Sequence, residues 1–517
     1  VQLLEKPVAI LAQARFCFPR SRYPLPHPAM RLAPLGFVTA SAGLIDTVVV
    51  LMLENRSFDH LLGFLKKLDP RVDGCLPGIA GCVSPIDPAD ASKGSVTVSD
   101  GGLYVSEADP SHSIHSTTRE IFGKDQHAIW PANPPMSGFV KEYDHGNSTD
   151  FGKHIMQCFD PVQVPALSTL AQEFAVFDRW FVGVPGPTMP NRAAFMSATT
   201  HGTGTNDKTK IALGWPQKSM FVAAEEAGLD WGVFFQEVPT PMAFRDVRTP
   251  KRLLKFKQYQ SFLRAASAGN LPNLSWVDPR YFGISDKYPA TDQHPNHPVD
   301  EGDKLIKEVY EALRSGPKWN STLLLITYDE HGGWFDHVPP PAGPSPDGLN
   351  STDDPFDFTR LGVRVPTVAV SPLIAKGTVV NKPGTGGTAA KPGSEFEASS
   401  FLATMQKLFG LKPLTKRDAW SASFEGILSQ APRTDCPTSL PNPPDHQGML
   451  TAEGKPLPKA GETALNDLQA LFLDSVAGIV QEHPDPNAVQ TEAGAGAWVL
   501  DKVSQYLRSG GAVSQLV

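Results

Sequence analysis

Short apolar runs that stop abruptly at polar residues alternate along this chain with apolar stripes at helical spacing. Three runs predict buried parallel strands: Leu44–Leu53 (LIDTVVVLML), Thr322–Tyr328 (TLLLITY) and Val363–Val370 (VRVPTVAV). A strand covered on both faces reads as a continuous apolar run, whereas a half-exposed one alternates. Weaker strand signals stand at Trp231–Phe235 and Leu274–Val277. Helical stripes are formed by Leu305, Ile306, Val309, Tyr310 and Leu313 within 300–315, and by Phe401, Leu402, Met405, Leu408 and Phe409. A third runs through Leu465, Leu468, Leu471, Phe472, Val476 and Ile479. Such stripes are core-facing helix sides.

Strands alternating with helices predict an α/β fold, a sheet covered on both faces in a three-layer α/β/α sandwich. Pro- and Gly-rich segments at 338–349 and 382–394 read as loops. The polar, Pro-rich segment 430–460 reads as a linker to a smaller C-terminal helical part. The organisation expected is an N-terminal extension or presequence over 1–43, a catalytic domain over 44–429, and a linker with a helical region over 430–517. Residues 30–44 (MRLAPLGFVTASAGL) imitate a signal peptide poorly, so the compartment is left open between secreted, membrane-peripheral and cytoplasmic.

Composition narrows the function classes. The 517 residues carry a net charge of −8 with no basic stripe, which argues against a nucleic-acid partner. No apolar run reaches the ~18 residues of a transmembrane helix. The 49 prolines imply many shaped loops around a packed core. None of the five cysteines forms a CxxC pair, so a thiolate zinc site is not expected. Cys75 and Cys82 share a loop and either bridge or remain free thiols.

Polar clusters follow the apolar runs directly, at the strand ends where open α/β sheets bind ligands. Glu54 and Asn55 follow VVVLML, and Asp329 and Glu330 follow TLLLITY. Adjacent acids repel unless a cation or strong donors lie close by. Together the four residues form an all-oxygen set suited to Ca²⁺, Mg²⁺ or Mn²⁺ rather than Zn²⁺. Ser57 is a candidate helix cap beyond the first pair. Thr188, in Pro185-Gly186-Pro187-Thr188, stands just before a helical run that Pro190 or Asn191 could open. A hydroxyl at a helix start beside a cation is a candidate nucleophile, although a helix cap is an equal reading of the segment alone. Asp292-Gln293-His294-Pro295-Asn296-His297 and His112 offer proton transfer and phosphate contacts.

Taken in order, TVVVLMLENRSFDH, VFDRWFVGVPGPTMPNR, SATTHG, DQHPNH, ITYDEHGGWFDHVPPP and RLGVRVPTVAVSP resemble the phosphoesterase family of phospholipases C and acid phosphatases, on the side of the plant non-specific phospholipases C. The resemblance runs from about residue 45 to about 420. It implies an alkaline-phosphatase-like core and hydrolysis of glycerophospholipids, met peripherally at a membrane surface, to diacylglycerol and a phosphorylated head group. By motif match Glu54, Asn55, Asp329 and Glu330 would hold the divalent metal, and Thr188 would be the nucleophile. His112, Asp292 and His294 would contact phosphate or move protons, and Arg192 would play a supporting part. Rival readings are a phosphomonoesterase using the same site and a lipid-binding homologue without catalysis.

Overall fold

The structure is a computed structural model that describes residues 43–512 apart from 107, 126–132, 145–151, 354, 386–390, 447–448 and 450–455. Residues 1–42 of the expected N-terminal extension lie outside the described residues.

An eight-stranded sheet forms the centre. Its strands in chain order are β1 (Thr47–Leu53), β2 (Ala175–Phe177), β3 (Trp231–Phe235), β4 (Phe256–Gln258), β5 (Leu274–Val277), β6 (Thr322–Tyr328), β7 (Thr367–Val370) and β8 (Thr378–Val380). They lie side by side in the order β8-β2-β7-β6-β1-β5-β3-β4. β1 is parallel to both β5 and β6, and β3 is parallel to β4 and β5. Every residue of β1 and β6 is buried. Side chains alternate between the two faces of a strand, so both faces of the sheet are covered, as the continuous apolar runs predict.

One expectation is corrected. Val363–Val370 is not a parallel strand: only Thr367–Val370 pairs, and it runs antiparallel to β6 and β2. A parallel partner needs a crossover helix to return the chain to its starting edge. Among the described residues, none stands between Tyr328 and Thr367, so the chain re-enters from the edge where β6 ends. Residues 364 and 365 bond elsewhere, Arg364 bridging Phe181 and Val365 N–H donating to Trp180.

The helices used below are α1 (Phe58–Leu62), α2 (Ile114–Phe122), α3 (Thr188–Ser197), α4 (Val299–Ser315), α5 (Ser400–Phe409), α6 (Asp467–Val480) and α7 (Glu492–Arg508). The apolar stripes read from the sequence are the buried sides of α4, α5 and α6. Ser57 caps α1, its hydroxyl accepting from His60 N–H. α7 escaped the sequence reading because its buried side, Ala495, Gly496, Val499, Val503 and Tyr506, is small and interrupted. The C-terminal helices pack onto the sheet domain, with Phe472 of α6 against Tyr281 at 4.7 Å between ring centroids. The Pro-rich stretch before them is pinned to α4: Lys307 donates to the Leu440 carbonyl at 2.6 Å and Tyr310 to the Pro437 carbonyl at 2.6 Å. Cys75 and Cys82 are joined by a disulfide.

Candidate active site

β1 and β6 are paired in register up to Leu53 and Tyr328. Because the strands are parallel, Glu54-Asn55 and Asp329-Glu330 leave the sheet side by side at the same edge. Backbone bonds tie the two exits together: Asp329 N–H donates to the Leu53 carbonyl at 3.2 Å and Arg56 N–H to the Glu330 carbonyl at 3.0 Å. Asp329 Oδ1 accepts from the backbone N–H of Asn55 at 3.1 Å and of Glu330 at 2.8 Å. Asn55 has φ +52°, a left-handed conformation that turns its side chain back toward the acids. Gly332, at φ +63°, passes so close that a Cβ there would collide with the Asn55 carbonyl.

The Asn55 side-chain amide nitrogen donates to Glu54 Oε2 at 3.0 Å and to Glu330 Oε1 at 3.2 Å. Buried carboxylates gathered beside one amide are the all-oxygen donor chemistry that a hard divalent cation takes. Glu54, Asn55, Asp329 and Glu330 are all buried. Burial raises the Glu54 carboxyl well above its usual range despite Arg192. Burial also pushes Glu330 up to about 8, against the pull of His112 and with the help of Asp329. Such acids take up either protons or a cation.

A guanidinium already occupies part of this acidic cluster. Arg192 Nε donates to Asp329 Oδ2 at 3.1 Å, and its terminal nitrogens pair with Glu54 Oε1 and, at 3.7 Å, Asp278 Oδ1. Asp278 follows β5, so three adjacent strand ends contribute acids. Two other described groups gather three metal-type donors more tightly, within 4.8 Å. Asp59–Cys75–His337 includes a cysteine spent in the disulfide, and Asp300–Asp445–His446 already holds the Lys304 ammonium, 3.1 Å from Asp300.

Arg192 lies on α3, one turn after Thr188. The helix opens at Thr188 itself, with Pro187 as its N-cap, rather than at Pro190 or Asn191. Asn191 clamps the preceding turn: Oδ1 accepts from Val184 N–H at 2.9 Å, and Nδ2 donates to the Gly186 carbonyl at 2.8 Å. Positions four apart share a helix face. Thr188 thus lies one turn before Arg192 on the same side of α3. Thr188 is 1% exposed and its hydroxyl has no hydrogen-bond partner.

The Asp292–His297 loop closes the site from the far side, the Asp292 carbonyl accepting from Glu54 N–H at 2.8 Å. Asp292 Oδ1 binds His297 Nδ1 at 2.6 Å and leaves Oδ2 buried without a partner. His297 reaches Glu492 of α7 at 3.4 Å with Nε2, so the C-terminal part touches this loop directly. Burial opposes charging His297, but Asp292 and Glu492 lift it to about 10. His294 points Nε2 at Asp109 Oδ2, 3.5 Å away, and its Nδ1 is unpartnered. Burial, His297 and His112 hold His294 well below the usual histidine range. His112 Nε2 stands 3.6 Å from Glu330 Oε1, with Nδ1 bonded to the Pro110 carbonyl at 2.8 Å. Burial disfavours its charge, yet Glu330 and Asp109 raise it to about 9.

Seven of the eight candidates read from the sequence are linked by these contacts, and the eighth, Thr188, begins the helix that carries Arg192. Sequence reasoning missed Asp278 and Glu492, isolated acids with no motif of their own, and the Glu120–His331 pair at 2.8 Å behind Glu330, and it gave no role to Asp109 three residues before His112.

A mostly parallel α/β sheet that gathers carboxylates and an amide at one edge has the build of an α/β enzyme with its site at the strand ends. The chain belongs to the phosphoesterase family, whose model matches residues 45–412. It is 41% identical over 481 residues to non-specific phospholipase C1 of Arabidopsis thaliana, covering 90% of this chain and 86% of that one. It is 46% identical over 406 residues to non-specific phospholipase C6 of the same plant, covering 77% and 75%. Phospholipase C B of Mycobacterium tuberculosis is 27% identical over 449 residues, covering 77% and 79%.

Proposed function

We propose that this protein is a phospholipase C-type hydrolase that cleaves glycerophospholipids to diacylglycerol and a phosphorylated head group through Thr188. One observation carries the reading: Arg192, a turn beyond Thr188 on α3, pairs with Glu54 and Asp329, and the buried Thr188 hydroxyl has no hydrogen-bond partner. The relatives named as phospholipases C supply the substrate class. Ca²⁺, Mg²⁺ or Mn²⁺ suits the oxygen set better than Zn²⁺, held by Glu54, Asn55 and Glu330 with Asp329. When bound, such an ion stabilises negative charge on the phosphate oxygens and favours ionisation of a nearby hydroxyl.

The chain's own residues account for the remaining steps. Thr188 gives its proton to the neutral His294 and attacks phosphorus. The bond from phosphorus to the diacylglycerol oxygen breaks, and His112 protonates that oxygen. Water then attacks the phosphothreonine and passes a proton to His112. The head-group phosphate leaves, and Thr188 recovers its proton from His294. Arg192 balances the buried acids and fixes their directions. Asp109 orients His294 through Nε2. A glycerophospholipid substrate resides in a membrane, so the lipid is met at its surface; among the described residues no helix is long and apolar enough to cross one.

The test is head-group release from phosphatidylcholine and other phospholipids compared with p-nitrophenyl phosphate, with and without chelator. The reading predicts cation-dependent diester turnover far above monoester turnover. Faster monoester turnover would make this a phosphatase, and vesicle binding without turnover would make it a lipid-binding homologue.

A further inference from the structure

Arg56 is fully buried, yet among the described residues it has no carboxylate within ion-pair distance. A buried guanidinium normally has an acid for a partner. Here Nε donates to the Gln293 carbonyl at 2.8 Å and a terminal nitrogen to the His294 carbonyl at 3.4 Å. The group lies over the Trp334 ring, 5.1 Å from its centroid, and Trp334 stacks on His60 at 3.8 Å. Burial pulls Arg56 down to about 10, which leaves it charged at neutral pH.

The carbonyls it holds belong to an unusual turn. Gln293 has φ +68°, a conformation that L residues rarely adopt, and it separates Asp292 from His294. Its side chain is anchored at both ends: Nε2 donates to the Val299 carbonyl at 2.6 Å, and Oε1 accepts from the Tyr328 hydroxyl at the end of β6. Gly302 of α4 makes room for it, since a Cβ there would overlap the Gln293 side chain. The turn is thus held from the chain just beyond β1, from the end of β6 and from the start of α4.

We propose that Arg56 is a positioning residue for phosphoryl transfer: it locks the left-handed turn at Gln293, so that Asp292 and His294 are presented to the cation site with no free play. The proposal rests on the role given above to His294 and Asp292. A charged donor is used because its two bonds go to carbonyls, which neutral donors would hold more weakly. A lysine has one point charge and cannot span both carbonyls in a plane.

Three variants test the lock, assayed on a soluble short-chain phosphatidylcholine with Thr188→Val alongside. Arg56→Lys is expected to lower kcat by roughly 10²-fold while KM changes less than about threefold, and to shift the acid-limb pKa of the kcat–pH profile. Gln293→Gly, which adopts φ +68° freely, is expected to retain at least about tenfold more kcat than Gln293→Ala. A purely structural anchor would make the two Gln293 variants differ in unfolding stability but not in the kcat of the folded protein. Wild-type kcat and pH profile in Arg56→Lys, or equal loss in Gln293→Gly and Gln293→Ala, overturns the lock. Should Arg56→Lys fold poorly, the Gln293 pair still decides. Full activity in Thr188→Val would instead remove the underlying mechanism, so the two failures are separable.

Discussion

Arg192 and Glu54 form an ion pair with no solvent exposure on either side chain, joining the helix that begins at Thr188 to the end of the first strand. The same guanidinium reaches Asp329 at 3.1 Å. Removing one partner of a buried pair leaves an uncompensated charge, which costs about 3–5 kcal/mol. Arg192→Met is therefore expected to lower unfolding stability by about that much in urea titrations, and to lower activity with it. A loss under about 1 kcal/mol would mean that the cluster is already balanced by other means.

The oxygen cluster predicts tight coupling between cation and fold. Adding Ca²⁺, Mg²⁺ or Mn²⁺ to chelator-stripped protein should raise its melting temperature, as any ligand of the native state does. Glu330→Gln should weaken that rise, and Asp329→Asn should lower kcat by about 10³-fold or more, since each removes charge from the cluster. Differential scanning calorimetry with and without each ion checks the first expectation, and steady-state kinetics the second.

Much of this arrangement was legible in the sequence. Strand ends announce themselves where apolar runs stop, so Glu54, Asn55, Asp329 and Glu330 stood out. The register that sets Leu53 beside Tyr328 is a long-range pairing that no local pattern encodes. The direction of β7 was misread because apolar content reports burial, whereas direction depends on the connection. His297 illustrates a third kind of gap. Its partner Asp292 is local and readable, but its contact with Glu492 crosses nearly two hundred positions and belongs to a helix with a weak stripe.

Stability should depend on pH through His337. This histidine contacts Asp59 closely and lies 3.3 Å from Asp73. Burial opposes its charge, but Asp59 and Asp73 lift it to about 10 from the ordinary histidine value of 6.5. A raised pKa contributes stability that is complete below the unfolded value and lost as pH rises through the folded one. The wild-type urea midpoint should fall between about pH 7 and pH 10 more steeply than that of His337→Gln. Parallel curves for the two proteins would rule out this contribution.

The Cys75–Cys82 bridge closes a short loop beside the same network. Cross-linking a loop of this length stabilises by about 2–3 kcal/mol through the unfolded state. Cys82→Ser should lose about that much while kcat under native conditions stays within about twofold, because the loop supplies no group to the reaction. Urea unfolding and initial rates on the same preparation check both parts.

The central claim is that Thr188 attacks phosphorus over the acidic strand ends, and Thr188→Val tests it most directly. The variant keeps the shape of a buried side chain whose hydroxyl bonds to nothing, so fold and cation binding should survive. Head-group release from phosphatidylcholine should fall by at least about 10⁴-fold, as when other covalent nucleophiles are removed. Wild-type turnover by a folded, cation-loaded Thr188→Val protein would contradict the account.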